Sequence, residues 1–127
     1  DPNNIFVAEF IGSPKMNIIK INKDQIINSK TLKLFNNEVA VDNLKFEDEL
    51  YIGIRPEHIN INNNQEIQLE VKVDLVENLG FEKIIYTKIL DHQIIIKSSE
   101  NVTEQSLKIS FSRSKILFFD KNKNRIR

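Results

Sequence analysis

Residues 67–75 read Ile67-Gln68-Leu69-Glu70-Val71-Lys72-Val73-Asp74-Leu75, an unbroken alternation of apolar and polar side chains. Successive side chains of a β-strand point to opposite faces, so this pattern predicts a strand with one face on a core and the other in water. Such strands are typical of antiparallel sheets, whose outer face is solvated. A strand over about 66–77 is therefore expected to anchor an antiparallel β-fold.

Shorter apolar or alternating runs lie on both sides of this strand. They are separated by clusters such as Asn62-Asn63-Asn64 and Lys121-Asn122-Lys123-Asn124, which favour turns because Asn satisfies backbone groups locally and tolerates positive φ. The predicted strands are 17–22, 25–28, 31–36, 38–42, 49–55, 66–77, 82–90, 93–98, 106–111 and 116–119. Many short strands favour a barrel, which also covers aggregation-prone edges such as Ile94-Ile95-Ile96.

The first fourteen residues follow a different pattern. Asp1-Pro2 is a favourable helix start, and apolar residues at helical spacing follow between Ile5 and Ile11. Gly12 permits the left-handed conformation that ends a helix, and Pro14 biases the residue before it away from helical geometry. The predicted organisation is a helix and connector over 1–14, then a barrel over 15–127.

Composition narrows the classes of function. The 127 residues fit one domain, and 18 basic side chains balance 18 acidic ones. A nucleic-acid or anionic-membrane partner normally calls for an excess of Lys and Arg, so neither is expected. The chain has no cysteine, which excludes disulfides and thiolate zinc sites. No apolar run is long enough to predict a membrane span, so direct membrane insertion is not expected.

Catalytic motifs are missing from the sequence. It has no Walker A loop, nucleophile elbow, dinucleotide fingerprint or histidine metal motif, and three glycines, Gly12, Gly53 and Gly80, cannot build a phosphate-cradling loop. The acidic run Glu47-Asp48-Glu49 lacks the spaced ligands and turn glycine of a calcium loop, so a solvated loop is the preferred interpretation. We therefore expect no independent enzymatic activity, no cofactor and no metal in this chain.

The segment Gly53-Ile54-Arg55-Pro56-Glu57-His58 places a cation, an anion and an imidazole around one proline. Arg55 can fork onto a carboxylate or a helix C-terminus, and Glu57 can be its partner or the partner of a neighbouring subunit. A histidine beside a carboxylate needs a nucleophile or a metal for catalysis, and no motif in the sequence identifies either. Arg55, Glu57 and His58 are predicted to form a hydrogen-bonded or interface cluster, with a free-standing hydrolase using Glu57 and His58 as the alternative.

The aromatic side chains have two interpretations. They could stack on nucleic-acid bases or fill the core, and without interleaved positive charge most of them are predicted to be core. The residues concerned are Phe81, Tyr86, Phe111, Phe118 and Phe119.

Four stretches, taken in order, resemble one protein family. Residues 4–17 are similar to the pattern N-x-FVA-x-FIGSP-x-MN, which leads from the ATPase domain into the accessory domain of the MalK-like ATP-binding subunits of carbohydrate-importing ABC transporters. Residues 53–58 resemble the GIRPEH segment of the same family, and residues 76–82 resemble its V-E-x-LG-x-E element. The ending, residues 117–126, is similar to its closing strand pair.

The resemblance implies a mostly β, OB-like (MOP-like) antiparallel barrel with one N-terminal helix and extra strands. It also implies a regulatory, dimer-stabilising role without catalysis, in which ATP and Mg belong to an upstream domain. The implied partners are that ATPase domain in cis, a second copy of the subunit, and membrane permeases reached through the ATPase domain. The implied location is the cytoplasm, at the inner face of the cell membrane. The expected junction and interface residues are Phe10, Gly12, Pro14, Met16, Arg55, Glu57, His58 and Glu77.

A further interpretation of the same barrel stays open. Related barrels in other importers bind oxyanions, and a small oxyanion or a sugar could be the ligand of this one. The sequence has no evident pocket rich in Ser, Thr and Lys for an anion.

Overall fold

The computed structural model describes residues 15–41 and 49–126. The predicted helix at 1–14, with Phe10, Gly12 and Pro14, lies outside the described residues, as do Glu47 and Asp48. The described ranges contain twelve strands: β1 (Asn17–Asn22), β2 (Ile26–Asn28), β3 (Thr31–Leu34), β4 (Asn37–Ala40), β5 (Glu49–Ile54), β6 (Asn60–Ile61), β7 (Ile67–Asn78), β8 (Lys83–Ile89), β9 (His92–Ser98), β10 (Ser106–Phe111), β11 (Leu117–Phe119) and β12 (Arg125–Ile126). Three single-turn 3₁₀ helices lie between them, at Lys23–Gln25, Pro56–His58 and Arg113–Lys115.

The described strands form three sheets, and every pairing within them is antiparallel. The first sheet has the order β1-β5-β11-β12, the second β6-β10-β7-β8-β9, and the third β2-β3-β4. The predicted mostly β, antiparallel architecture is thus confirmed. All ten predicted strands are present, with ends that agree to within two residues, and the closing pair β11–β12 is also present. The two-residue strand β6 was not predicted.

One core joins the three sheets. Ile21 of the first sheet, Leu32 of the third and Ile85 of the second have no exposed surface and belong to the same apolar cluster. Full burial of a side chain of this size contributes about 1.5–3 kcal/mol. The sheets therefore wrap around a shared interior, as a barrel requires.

Two asparagine side chains bridge the sheets where backbone pairing stops. Asn17 of β1 donates from Nδ2 to the carbonyl of Ile95 at 2.9 Å and accepts from the Ile95 amide at 2.7 Å. Asn37 of β4 does the same with Gln68 of β7, at 2.8 and 3.1 Å. The side-chain amide of Asn has a carbonyl acceptor and an NH₂ donor in one plane. It can therefore form the same pair of hydrogen bonds with a strand that the backbone of a neighbouring strand would form. We call these two pairs the amide clamps.

Strand β7 departs from its sequence pattern at one point. Ile67, Leu69 and Val71 are buried as predicted, but Leu75 is 59% exposed. The pairing with β8 shifts register between Val73 and Leu75, which is a β-bulge. An inserted residue reverses the inward and outward faces beyond it, so the prediction that Leu75 faces the core is wrong.

The helices of the described residues are all short. Within residues 15–41 and 49–126, none is long and apolar enough to span a bilayer.

Candidate functional site

The Gly53–His58 segment ends β5 with a sharp turn. Arg55 is extended, with φ −73° and ψ 140°, and Pro56 takes the first position of the 3₁₀ helix. Proline disfavours helical geometry in the residue before it and is pre-set for the first position of a helix, so the strand must stop at this point. The turn is closed by a hydrogen bond of 2.9 Å from the His58 amide to the Arg55 carbonyl.

The inner side of the segment packs against the start of the barrel. A Cβ added at Gly53 would overlap Met16 Sδ and lie 3.0 Å from Phe119 Cε2. Met16 and Phe119 form a small second core with Leu117, beside the main one. Glycine is required here because two buried side chains approach the backbone closely. Met16, predicted as a junction residue, is 7% exposed and adjoins the clamp residue Asn17.

The outer side of the segment carries Glu57. This exposed carboxylate lines two adjoining cavities, of about 500 and 260 Å³, which share the β9 end Lys97-Ser98-Ser99 as a second wall. Lys97 forms an ion pair with Glu82 at 3.3 Å, and Lys83 donates to the Ser99 carbonyl at 3.3 Å. The Gly53–His58 segment and the end of β9 thus form one polar surface, which was not predicted from the sequence.

Arg55, Glu57 and His58 are adjacent but are not joined by hydrogen bonds to one another through their side chains. Among residues 15–41 and 49–126, no ion pair links Arg55 with Glu57, and the shielded Nδ1 of His58 has no hydrogen-bond partner. Burial lowers the pKa of His58 below its ordinary value, and Lys115 acts in the same direction while Glu57 opposes it. The surroundings therefore favour a neutral imidazole, and the segment presents Glu57 as its exposed charged group.

The pKa of His58 leads to a pH prediction. Because the folded chain disfavours the imidazolium, the unfolded chain binds more protons as the pH falls through the ordinary value of 6.5. The free energy of unfolding is expected to fall below that pH and to level off below the folded-state pKa. Urea denaturation from pH 8 down to about pH 5 measures this fall, and His58→Gln should reduce it. An equal or steeper fall in His58→Gln would contradict the assignment.

The β7–β8 hairpin forms the rim of the smaller cavity. Asn78 Oδ1 accepts from the Gly80 amide at 2.9 Å, and Gly80 has a φ of 98°, a conformation that favours glycine. The turn places Phe81 in water with 87% of its surface exposed, so this ring does not belong to the predicted aromatic core. Phe111, Phe118 and Phe119 are buried as predicted, and Tyr86 is half-buried. Glu77 lies on the exposed face of β7 and lines neither cavity.

The acidic and histidine side chains of the described ranges are dispersed. No group of three or more His, Asp or Glu side chains suited to a metal ion occurs in residues 15–41 and 49–126. Glu49, the described member of the acidic run, pairs with Lys20 at 3.0 Å and accepts from the Tyr51 hydroxyl at 3.2 Å. The Lys20 ammonium lowers the pKa of Glu49.

Comparison with known families gives two matches in succession. Residues 12–59 match the MalK OB fold domain, and residues 52–113 match the TOBE domain. The two matches overlap at residues 52–59, which contain the Gly53–His58 segment. They also agree with the predicted OB-like fold.

Individual relatives match the chain over much of its length. YcjV of Escherichia coli O157:H7, an ABC transporter ATP-binding protein, is 34% identical over 128 residues, which cover 94% of this chain and 35% of that protein. UgpC of Psychromonas ingrahamii, an sn-glycerol-3-phosphate import ATP-binding protein, is 36% identical over 103 residues, with 80% and 26% covered. MalK of Aliivibrio fischeri, a maltose/maltodextrin import ATP-binding protein, is 38% identical over 96 residues, with 71% and 26% covered. The chain therefore corresponds to about a quarter to a third of each relative.

Proposed function

This chain belongs to the MalK OB-fold and TOBE domain families, and from that membership we propose that it is the C-terminal accessory domain of the ATP-binding subunit of a carbohydrate-importing ABC transporter. The observation that carries the proposal is the pair of successive matches, together with relatives that match 94% of this chain over only 35% of their own length. In this role the domain regulates and stabilises the subunit dimer and does not itself catalyse a reaction.

The proposed division of labour assigns nucleotide chemistry to another domain. ATP and Mg would be held upstream of Asp1, because this chain has no phosphate-cradling glycine loop. Residues 1–14 would connect that ATPase domain to the barrel, and Met16 would fix the connector to the barrel through its buried contacts near Gly53 and Phe119.

The proposed partners follow from the same division. They are the upstream ATPase domain in cis, a second copy of the subunit, and membrane permeases contacted through the ATPase domain. The subunit would lie in the cytoplasm against the inner face of the cell membrane. Arg55, Glu57, His58 and Glu77 remain the proposed interface residues, and the exposure of Glu57 and Glu77 supports a contact role for those two.

Two observations test the proposal: the coding sequence upstream of Asp1 and the self-association of the complete subunit. The coding sequence before Asp1 is expected to contain a P-loop and an ABC signature. Removing residues 15–127 from the complete subunit should leave nucleotide binding intact and weaken self-association of the nucleotide-free form by at least roughly tenfold, about 1.4 kcal/mol. Light scattering over a dilution series measures that association, with the intact subunit as the control. Equal dimerisation of both forms, or ATP hydrolysis by the isolated barrel, would contradict the proposal.

A further inference from the structure

A polar furrow crosses the surface beside the Gly53–His58 segment. It consists of the two cavities lined by Glu57 and a third of about 290 Å³, which adjoins the larger of them at Asn62 and Asn63. Ligand sites typically have volumes of about 300–1,000 Å³, and the furrow offers volumes near this range in succession. Its shape suits an extended ligand rather than a compact one.

The charge of the furrow selects against anions. Its lining carries four carboxylates and two ammonium groups, namely Glu57, Glu70, Glu82 and Glu100 against Lys97 and Lys108. Lys97 is already paired with Glu82 at 3.3 Å. An oxyanion or a single-stranded nucleic acid would meet net negative charge here, whereas both require positive charge for binding.

Neutral hydrogen-bonding groups make up much of the remaining lining. Asn60, Asn62, Asn63 and Asn64 line the furrow, and their side-chain amides bond to no other residue within 15–41 and 49–126. Each amide presents both a donor and an acceptor to a ligand. Asn62 has a φ of 57° and its own backbone amide donates to the Lys108 carbonyl at 3.0 Å, so the backbone that positions it is held in place.

One end of the furrow is bounded by an aromatic ring. Phe81 lines the smallest of the three cavities, as does Glu57, and is 87% exposed. An exposed ring provides a flat apolar surface on which the CH face of a sugar ring can stack, while amides and carboxylates bond to its hydroxyl groups. OB folds bind oligosaccharides on a strand face and the adjoining loops.

From this combination we propose that the furrow binds a neutral linear oligosaccharide of hexose units, with Phe81 stacking on a sugar ring at one end and the Asn60–Asn64 amides bonding to hydroxyl groups at the other. The choice of a sugar among neutral polar ligands rests on the proposed function, since a carbohydrate importer delivers such molecules to the side where the accessory domain lies. The fraction of domains with bound sugar would then depend on the concentration of imported sugar.

The experiment is a titration of the 127-residue chain, followed by backbone amide chemical shifts. Maltohexaose and cellohexaose serve as neutral probes of different linkage, each up to about 10 mM so that millimolar affinity is detected. Phe81→Ala removes the exposed ring, and Asn62→Gly removes one amide while glycine keeps the positive φ. Leu90→Ala is the matched control, because Leu90 is also a hairpin-tip apolar residue, 82% exposed, at the opposite end of β8 and lining none of the three cavities.

The expected result is saturable binding of at least one hexasaccharide, with shifts confined to the furrow. Phe81→Ala and Asn62→Gly should each weaken it roughly tenfold, and Leu90→Ala should leave it unchanged. Lack of binding by both sugars, or equal binding by Phe81→Ala, would overturn the inference. If a deca-lysine peptide binds and neither sugar does, the inference is also overturned, and the acidic furrow is assigned to a basic protein segment. Dimerisation of the complete subunit is measured separately, so failure here leaves the proposed function standing.

Discussion

Asn17→Ala is expected to lower the free energy of unfolding by about 2–3 kcal/mol. The substitution removes both hydrogen bonds of the clamp and leaves the amide and carbonyl of Ile95 without their partner. Asn17 is 5% exposed, so water replaces the lost contacts poorly. Urea denaturation followed by circular dichroism measures the change, with the midpoint expected to fall and the slope to stay constant.

The second amide clamp provides the matched control. Asn37→Ala removes the same pair of contacts to Gln68, but these are exposed to water, and we expect a loss of at most about 1 kcal/mol. Asn17→Asp keeps the acceptor and loses the donor, so it should be nearly as destabilised as Asn17→Ala at neutral pH. Protonating its carboxyl restores a donor, and the deficit should shrink in acid. Equal losses at Asn17 and Asn37 would show that burial does not set the strength of the clamp.

Gly53→Ala is expected to destabilise the chain by about 1–3 kcal/mol, because the new methyl group overfills the space between Met16 and Phe119. The same denaturation measurement applies. Met16→Ala makes room for the methyl group, so the double variant should be more stable than the two separate losses predict, with a coupling of about 1 kcal/mol or more.

Gly80→Ala is the control for Gly53→Ala, because it introduces backbone strain without steric overlap. Gly80 has a φ of 98° and no atom within 4 Å of an added Cβ, so its substitution strains the backbone without a steric contact. Its cost should add to that of Met16→Ala without coupling. Strict additivity of Gly53→Ala with Met16→Ala would contradict the steric explanation for the glycine.

The strands of this fold were predictable because their signal is local. The alternation from Ile67 to Val71 and the turn-forming Asn clusters each depend on neighbours in sequence, and β1 was predicted with its observed ends. The bulge before Leu75 was not predictable, because the inserted residue is defined only by pairing with β8. Phe81 was missed for a related reason, since its exposure follows from the turn at Gly80 and from where that hairpin ends.

The candidate site was predictable only in part. The proline in Gly53–His58 predicted the end of a strand, and the pairing of charges drew attention to Glu57. The facing wall at Lys97-Ser98-Ser99 is about forty residues away in sequence and has no pattern of its own. The clamp of Asn17 was likewise missed, although the residue lies in the motif that identified the family. A signal for it would be a buried polar residue at a predicted inward position of β1.

The Asn17–Ile95 clamp also affects the order in which this chain can fold during its synthesis. Its partners are 78 residues apart, and β5 must pair with β11 near the end of the chain as well as with β1 near its start. Contacts of such long sequence separation form late, because the entropy of closing the intervening loop opposes them. During synthesis on the ribosome, β1 can pair with β5 once residue 54 has emerged, but its side-chain partner Ile95 and the strand β11, which extends the same sheet, emerge later. The edge of β5 that pairs with β11 therefore stays uncovered until residues 117–119 have emerged.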